Sequence, residues 1–496
     1  MFDSLKIILR DLGGILIIVG CVSLLTFAVP LVFGEYGAIK PMILTVLFYF
    51  GFGLPLYFGL RESGETNLRL AMVTAAFGWL VISIIGAIPF MYMSENGIDV
   101  GMDPLSAIFE SFAGWTGTGL TMVIHENKLP YTLQFWRTLT QWVGGVGVIV
   151  LTLAILARPG TGSFVLYKSE GREQKIHPSV ISTVRSIWWI YLFYTAIGIA
   201  MLFTVKIFAE NRGNLTEVLW ESINHCMTGL STGGFSVTDD SIASYSVCSQ
   251  IVIMVLMVLG AIAFVAHYDL LGGRIKKFFY DPQTKALFVL IIFGVVLLII
   301  FNHPTTSEDI EKYIFQFISA ITCTGFSTDS LSSWSGTSKL ILSFAMIVGG
   351  AAGSTAGGIK LFRIILLTRG VEWRLKKALS TPKRVLVYKL GDKSLSPDSA
   401  FELVNEAAVI SFLWFILLFA GILVISYSIP NRPLGDIIFE VCSAQGNVGL
   451  SVGITSPSMP TLAKVMLILN MWIGRLEIIP VIVMIKSLFG GNSNRY

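Results

Sequence analysis

The sequence predicts an all-α polytopic membrane protein: an N-terminal two-helix hairpin followed by four pseudo-symmetric helix–pore-loop–helix repeats, with ten transmembrane helices and four re-entrant half-helices. Three observations predict it. Of 496 residues 54% are hydrophobic and 13% charged, and the mean hydropathy is +0.74. Uncharged apolar runs of about 20 residues, the length that crosses about 30 Å of hydrocarbon, recur along the chain. A glycine-centred polar segment returns four times.

Lys6 and Arg10 precede the first apolar run, residues 12–33. That charge order suits a signal peptide, but the run is too long for one and no small-x-small cleavage site follows, so it reads as a retained helix. Residues 41–60 complete the hairpin. Further runs lie at 70–93, 187–205, 247–266, 286–301 and 407–429. The loops before 12 and after 485, with those in 61–69, 158–185, 272–285 and 360–393, carry 25 of the 35 Lys and Arg residues. By the positive-inside rule this side is cytoplasmic, with both termini on it.

The recurring segment sits on the other side. Its copies are "FESFAGWTGTGLTM" from Phe109, "NHCMTGLSTGGFSV" from Asn224, "FQFISAITCTGFST" from Phe315 and "FEVCSAQGNVGLSV" from Phe439. Each has Gly (119, 234, 325, 449), then Leu or Phe, then Ser or Thr; nine residues before the glycine stands Glu110, His225, Gln316 or Glu440. Upstream lies a helical stretch of about a dozen residues, too short to span. Each has a start signal: Asp103-Pro104, Asn214 with Glu217, Ser307 with Glu308 and Asp309, and Arg432-Pro433 with Asp436. Non-helical polar chain at membrane depth is tolerated only when protein or water surrounds it. The divisions that follow are 1–62 for the hairpin, then repeats at 63–160, 161–275, 276–380 and 381–496.

Four such loops around one axis form an ion pathway. Backbone carbonyls replace a cation's water shell, and glycine supplies the conformations that let them converge. The candidate filter is Thr116, Gly117, Thr118 and Gly119; Ser231, Thr232, Gly233 and Gly234; Thr322, Cys323, Thr324 and Gly325; and Gly446, Asn447, Val448 and Gly449. None is charged. The half-helix C-termini, each worth about half a negative charge, favour a cation. Membrane helices are glycine-rich in any case and small residues pack them closely, which explains one copy far better than four.

With these four segments the sequence resembles the Trk/Ktr/HKT superfamily of K⁺ transporters over essentially its whole length. The N-terminal hairpin suggests the TrkH/TrkG type. The resemblance implies K⁺ uptake through one pathway formed by four non-identical repeats, with K⁺ the transported ion. In plant relatives a serine at the first filter glycine accompanies Na⁺ transport; Gly119 there implies K⁺ preference. It also implies a homodimer and a cytosolic, nucleotide-sensing TrkA-type subunit. The chain itself has neither GxGxxG after a strand nor GxxxxGK[ST], so no nucleotide site is expected in it.

"IVGGAAGSTAGGIK", 347–360, places five glycines where the second span of repeat three should continue. Glycine costs about 1 kcal/mol relative to alanine in a helix interior, so the helix is expected to break here and nowhere comparable in the other repeats. Close helix packing is the competing explanation. The run resembles the family's intramembrane loop, which implies a gate formed by Gly349, Gly350, Gly353, Ser354, Gly357 and Gly358 together with Arg475. That arginine lies in an apolar span, "NMWIGRLEIIPVIV", and at a cost of roughly 2.5–3.5 kcal/mol it needs a cavity or a partner. Spacing of two on a helix argues against Glu477 as that partner. "GRLE" matches the family's fourth repeat, where the Arg projects below the filter. Lys360 reads as an interfacial anchor.

Glu110, His225, Gln316 and Glu440 have two open readings: they hydrogen-bond the filter backbone, or they satisfy neighbouring helix ends, the structural role being weighted higher. Asp239, Asp240, Glu308 and Asp309 either concentrate cations at the mouth or are solvated surface. Ten Lys and Arg in 360–393, against Glu372 and Asp392, suit membrane lipid headgroups or a docked subunit; no nucleic acid partner is expected. Cys21, Cys226, Cys248, Cys323 and Cys442 have neither metal-ligand spacing nor a disulfide framework. A H⁺- or Na⁺-coupled K⁺ symporter is the alternative function, though broken helices alone would serve it without four converging repeats. An intramembrane hydrolase built on Ser231 and His225 is disfavoured because the other copies replace the histidine; the chain is not expected to be an enzyme.

Overall fold

The computed structural model describes residues 2–95, 98–99, 101–147, 150, 176–177, 179–210, 214–381, 387–391 and 393–489. The boundary at 160/161, most of the 158–185 loop and part of the 360–393 segment lie outside the described residues. Helix dominates. Strand among the described residues is confined to two antiparallel hairpins, β1 (Ser94–Glu95) with β2 (Ile98–Asp99) and β3 (Tyr388–Leu390) with β4 (Lys393–Leu395).

The N-terminal pair is α1 (Phe2–Ser23) and α2 (Ile39–Gly59). The first repeat contains α3 (Leu68–Gly86), α4 (Pro104–Thr116) and α5 (Tyr131–Val146). The second has α6 (Val180–Glu210), α7 (Leu215–Leu230), α8 (Val247–Ala261) and α9 (Phe264–Leu271). The third has α10 (Pro282–Asn302), α11 (Ser307–Ile321), α12 (Gly336–Val348) and α13 (Leu361–Ala378). The fourth has α14 (Pro397–Ser428), α15 (Leu434–Gln445), α16 (Thr461–Arg475) and α17 (Ile479–Phe489). Glu35 in the turn of the hairpin joins it to repeat one: the Tyr131 and Thr132 N–H groups donate to its carboxylate at 2.6 and 2.8 Å, an acid capping the start of α5.

The four re-entrant helices, α4, α7, α11 and α15, run 12 to 16 residues. Asp103 and Asn214 cap the first two as their sequences suggest. In the third the cap is Thr306, one residue earlier than the sequence signal, closing a reciprocal box with Asp309. In the fourth Pro433 starts the helix without a side-chain cap, and Asp436 turns instead to Lys339 of repeat three, 2.7 Å away.

The second spans depart from expectation. A break in repeat three occurs as expected, but the others are interrupted too: α5 stops at Gly147 with φ 103°, α8 bends into α9 by 109°, and α16 into α17 by 110°. Repeats two and four break at Ile262–Ala263, in extended backbone, and at Glu477 and Ile478, with φ of 57° and 72°. No glycine or proline occupies these positions themselves; Pro480, in the first turn of α17, is the signal beside the second break.

Among the described residues six helices, or eight with each bent pair taken as one span, are long and apolar enough to cross a membrane. The bundle's polarity is inverted relative to a protein in water. Ile292, Phe412 and Phe419 are more than 60% exposed on the outside, whereas Glu110, Gln141, Asn224, His225, Gln316, Glu440 and Asn470 are fully enclosed. Such an arrangement suits hydrocarbon outside and a polar axis within.

Candidate ion pathway

Each re-entrant helix ends in the same way. The residue two before the recurring glycine is left-handed: Gly117, Thr232, Cys323 and Asn447, with φ of 68°, 52°, 56° and 52°. The N–H of the next residue donates five positions back, Thr118 to Ala113, Gly233 to Thr228, Thr324 to Ser319 and Val448 to Ser443, at 2.8–2.9 Å. The left-handed residue's own N–H donates three back in all four. This is a Schellman termination, which satisfies the last carbonyls and turns the chain. Only repeat one fills the left-handed position with glycine; in the others an L-residue there costs about 1–2 kcal/mol. Backbone conformation then returns to positive φ at Gly119, Gly234, Gly325 and Gly449. Two such reversals, two residues apart, let successive carbonyls project to one side.

The four glycines form a closed ring. A Cβ on Gly119 would strike the carbonyl oxygen of Gly233, one on Gly234 that of Thr324, one on Gly325 that of Val448, and one on Gly449 that of Thr118. In every case the struck oxygen belongs to the residue preceding the glycine of the next repeat, so the order runs one, two, three, four and back to one. Asn447 Nδ2 also bridges repeats, donating to Thr118 Oγ1 at 2.9 Å.

The residue nine before each glycine braces the loop that follows it. Met122 N–H donates to Glu110 at 2.7 Å, Val237 N–H to His225 Nε2 at 3.3 Å and Val452 N–H to Glu440 at 3.0 Å. Each amide is three residues after the glycine. Gln316 varies the theme, with its amide nitrogen 3.1 Å from Ser327 Oγ and 3.4 Å from Thr328 Oγ1. In three repeats, then, this side chain holds the backbone of the loop three residues past the recurring glycine. Arg137, buried, pairs with Glu110 at 2.8 Å and donates to the Ser236 carbonyl at 2.8 Å.

Sequence reasoning missed a second fourfold set. The side chains of Gln134, Gln250, Lys339 and Lys464, each four residues past the N-cap of its second span, donate to carbonyls of the preceding loop: Leu129, Tyr245, Ser332 and Pro457, at 2.8 to 3.1 Å. A polar residue 14 to 16 positions after each recurring glycine was the available signal. Gln141 was missed as well. Its amide grips the second loop from repeat one, donating to the Gly233 carbonyl at 2.6 Å and accepting from Phe235 N–H at 2.9 Å.

Below the ring, the chain from Gly349 to Lys360 is non-helical. It is tied to repeat two, where Ala351 N–H meets the Ala261 carbonyl at 2.9 Å and Thr355 Oγ1 the Gly260 carbonyl at 2.9 Å. It also reaches the fourth re-entrant helix, Gly358 N–H to the Gly446 carbonyl at 3.1 Å. Arg475 donates to the Thr355, Gly144 and Gly145 carbonyls, so it joins this loop to the broken end of α5. Glu477 pairs with Lys360 at 2.7 Å and with Arg363. Lys360 is therefore no interfacial anchor: with Asn447, Ser354, Gly357 and Arg475 it lines a cavity of about 30 Å³ under the ring, room for a water or two.

At the outer loops, His125 and the Asn127 N–H contact Asp239 at 3.1 and 2.9 Å, and these contacts help hold its carboxyl below the usual range although burial opposes them. Burial pushes the neighbouring Glu126 carboxyl up to about 7, against the opposing pull of Arg137. Among the described residues no group of three or more His, Cys, Asp and Glu converges as metal ligands; a cation at the ring would meet carbonyl oxygens.

Comparison with known proteins gives a consistent picture. Residues 40–496 match the TrkH family, described as cation transport protein. An uncharacterized cation transporter of Methanocaldococcus jannaschii is 35% identical, over 97% of this chain and 95% of its own length. The Trk system potassium uptake protein TrkH of Escherichia coli K12 is 30% identical over 86% and 87%. The crystal structure of the potassium transporter TrkH from Vibrio parahaemolyticus superposes with a TM-score of 0.80 at 25% identity, covering 99% of this chain and all of that one.

Proposed function

This chain belongs to the TrkH family of cation transport proteins, and from that premise we propose that it carries potassium into the cell through a selectivity filter of backbone carbonyls. The observation that carries the reading is the closed ring: four glycines, each against the carbonyl of the next repeat's filter strand. Dehydrating K⁺ requires oxygens from several sides at once, and a cyclic order supplies them. The filter residues are the four strands ending at Gly119, Gly234, Gly325 and Gly449. The likeness to relatives named as potassium transporters supports K⁺ as the ion.

The proposal extends to the gate. The loop from Gly349 to Gly358 and Arg475 block the pathway under the ring, supported by a cavity too small for a hydrated cation and by the arginine's three carbonyl contacts. Repeat boundaries at 62/63, 160/161, 275/276 and 380/381, cytoplasmic termini in the inner membrane, a homodimer and a TrkA-type subunit on the basic 360–393 face complete it. Reversal potentials of the purified protein in liposomes under a K⁺/Na⁺ bi-ionic gradient test the filter. A potential near that of K⁺ is expected, and one midway between the two ions rejects it. Flux that requires a H⁺ or Na⁺ gradient would favour coupled transport instead.

A further inference from the structure

The brace of repeat two differs chemically from its counterparts. Glu110 and Glu440 take their loop amides on carboxyl oxygens, which accept without any tautomer being set. An imidazole accepts at Nε2 only when its proton is on Nδ1, so His225 has to be set in one tautomer. Tyr245 Oη stands 2.8 Å from His225 Nδ1 and 3.0 Å from Glu221 Oε2. Glu221 in turn pairs with Lys206, which is fully buried on α6 and lies 3.4 Å from the Tyr245 ring centroid. Lys206 Nζ and Tyr245 Oη both face Glu221 Oε2, and the tyrosine hydroxyl donates its one proton to that oxygen. The Oη can then only accept from His225, which places the imidazole proton on Nδ1 and leaves the Nε2 lone pair facing Val237 N–H at 3.3 Å. Ser236 Oγ lies 2.9 Å from the same nitrogen and 2.8 Å from Thr238 Oγ1, and as a hydroxyl it fits either tautomer.

We propose that Lys206, Glu221 and Tyr245 are positioning residues for ion selection: a one-way donor chain that fixes the His225 tautomer and so holds the filter strand of repeat two through Val237. The inference rests on the filter reading above. Reversing any link turns Nε2 into a donor facing another donor, which releases the strand three residues past Gly234. Repeats one and four do not depend on such a relay, because their braces accept on carboxyl oxygens and have no tautomer to set.

The test uses the full-length protein in liposomes. Tyr245→Phe keeps the ring against Lys206 and removes only the hydroxyl; it is expected to lower the K⁺/Na⁺ permeability ratio about tenfold, the size of one lost hydrogen bond at a buried site. In a His225→Gln background, where an amide oxygen accepts without tautomer control, the same change is expected to have less than a third of that effect. Tyr245→Phe with an unchanged ratio, or with an equal loss in both backgrounds, overturns the relay, because a merely structural tyrosine would alter the amount of folded protein and not ion preference. Should Tyr245→Phe fail to reach the membrane, Glu221→Gln, which no longer requires the tyrosine proton, carries the same expectations and the same refutation. A wild-type protein that does not distinguish K⁺ from Na⁺ overturns the filter reading itself, a separate result from failure of the relay alone.

Discussion

Gly117 and Gly119 are two residues apart with similar backbone, φ 68° and 73°, yet alanine should affect them very differently. Any L-residue in left-handed backbone costs about 1–2 kcal/mol, and that cost is common to both. At Gly117 an added Cβ meets nothing within 4 Å, and Thr232, Cys323 and Asn447 already carry side chains at the equivalent positions. At Gly119 it runs into the Gly233 carbonyl oxygen and comes within 3.5 Å of the Gly449 Cα. Relief means moving the filter backbone of repeat two, and overpacking of this kind costs about 1–3 kcal/mol more. With 1.4 kcal/mol per factor of ten, Gly119→Ala should lose about 5 to 150 times more selective K⁺ flux than Gly117→Ala. Potassium-driven uptake into liposomes, with reversal potentials in mixed K⁺ and Na⁺, measures it. Equal losses in the two variants, or Gly119→Ala flux within a factor of about two of wild type, would refute the ring as the selective element, since only the collision separates them.

Arg475→Ala removes the cation and its contacts to the loop below the ring; a charge-assisted hydrogen bond is worth about 1.5–3 kcal/mol, so flux should rise at least tenfold, and unaltered conductance ends the gate role. Lys339→Met leaves Asp436 enclosed and unpaired between repeats three and four, and should cost about 3–5 kcal/mol, read as a lowered thermal midpoint in detergent. Glu126 gives a pH dependence. Its folded pKa of about 7 lies above the ordinary 4.5, so the native state binds the extra proton between these values; its contribution to stability is complete below 4.5 and is lost as pH rises through 7. Glu126→Gln should flatten that part of the melting-point profile between pH 5 and 8, and a profile identical to wild type would contradict the shift.

The sequence by itself determined the class of fold and the position of the ring. Apolar length marks spans because hydrocarbon admits only long uncharged helices, and a fourfold pattern of glycine survives in one chain because each copy meets the same backbone requirement. Asp103 and Asn214 announced their helices through side chains that bond locally. Tertiary structure decided the rest. The bends after α8 and α16 occur at Ile262–Ala263 and at Glu477–Ile478; only the second has a proline nearby, Pro480, and contacts from repeat three hold both. Lys360 looked like an anchor until Glu477, more than a hundred residues away, supplied its partner. Gln141 gave no sign of its role, because the Gly233 and Phe235 backbone it grips belongs to another repeat and is brought near only when the repeats close. A local pattern records what a residue does to its own backbone; a partner across the bundle leaves no mark on the spacing around it.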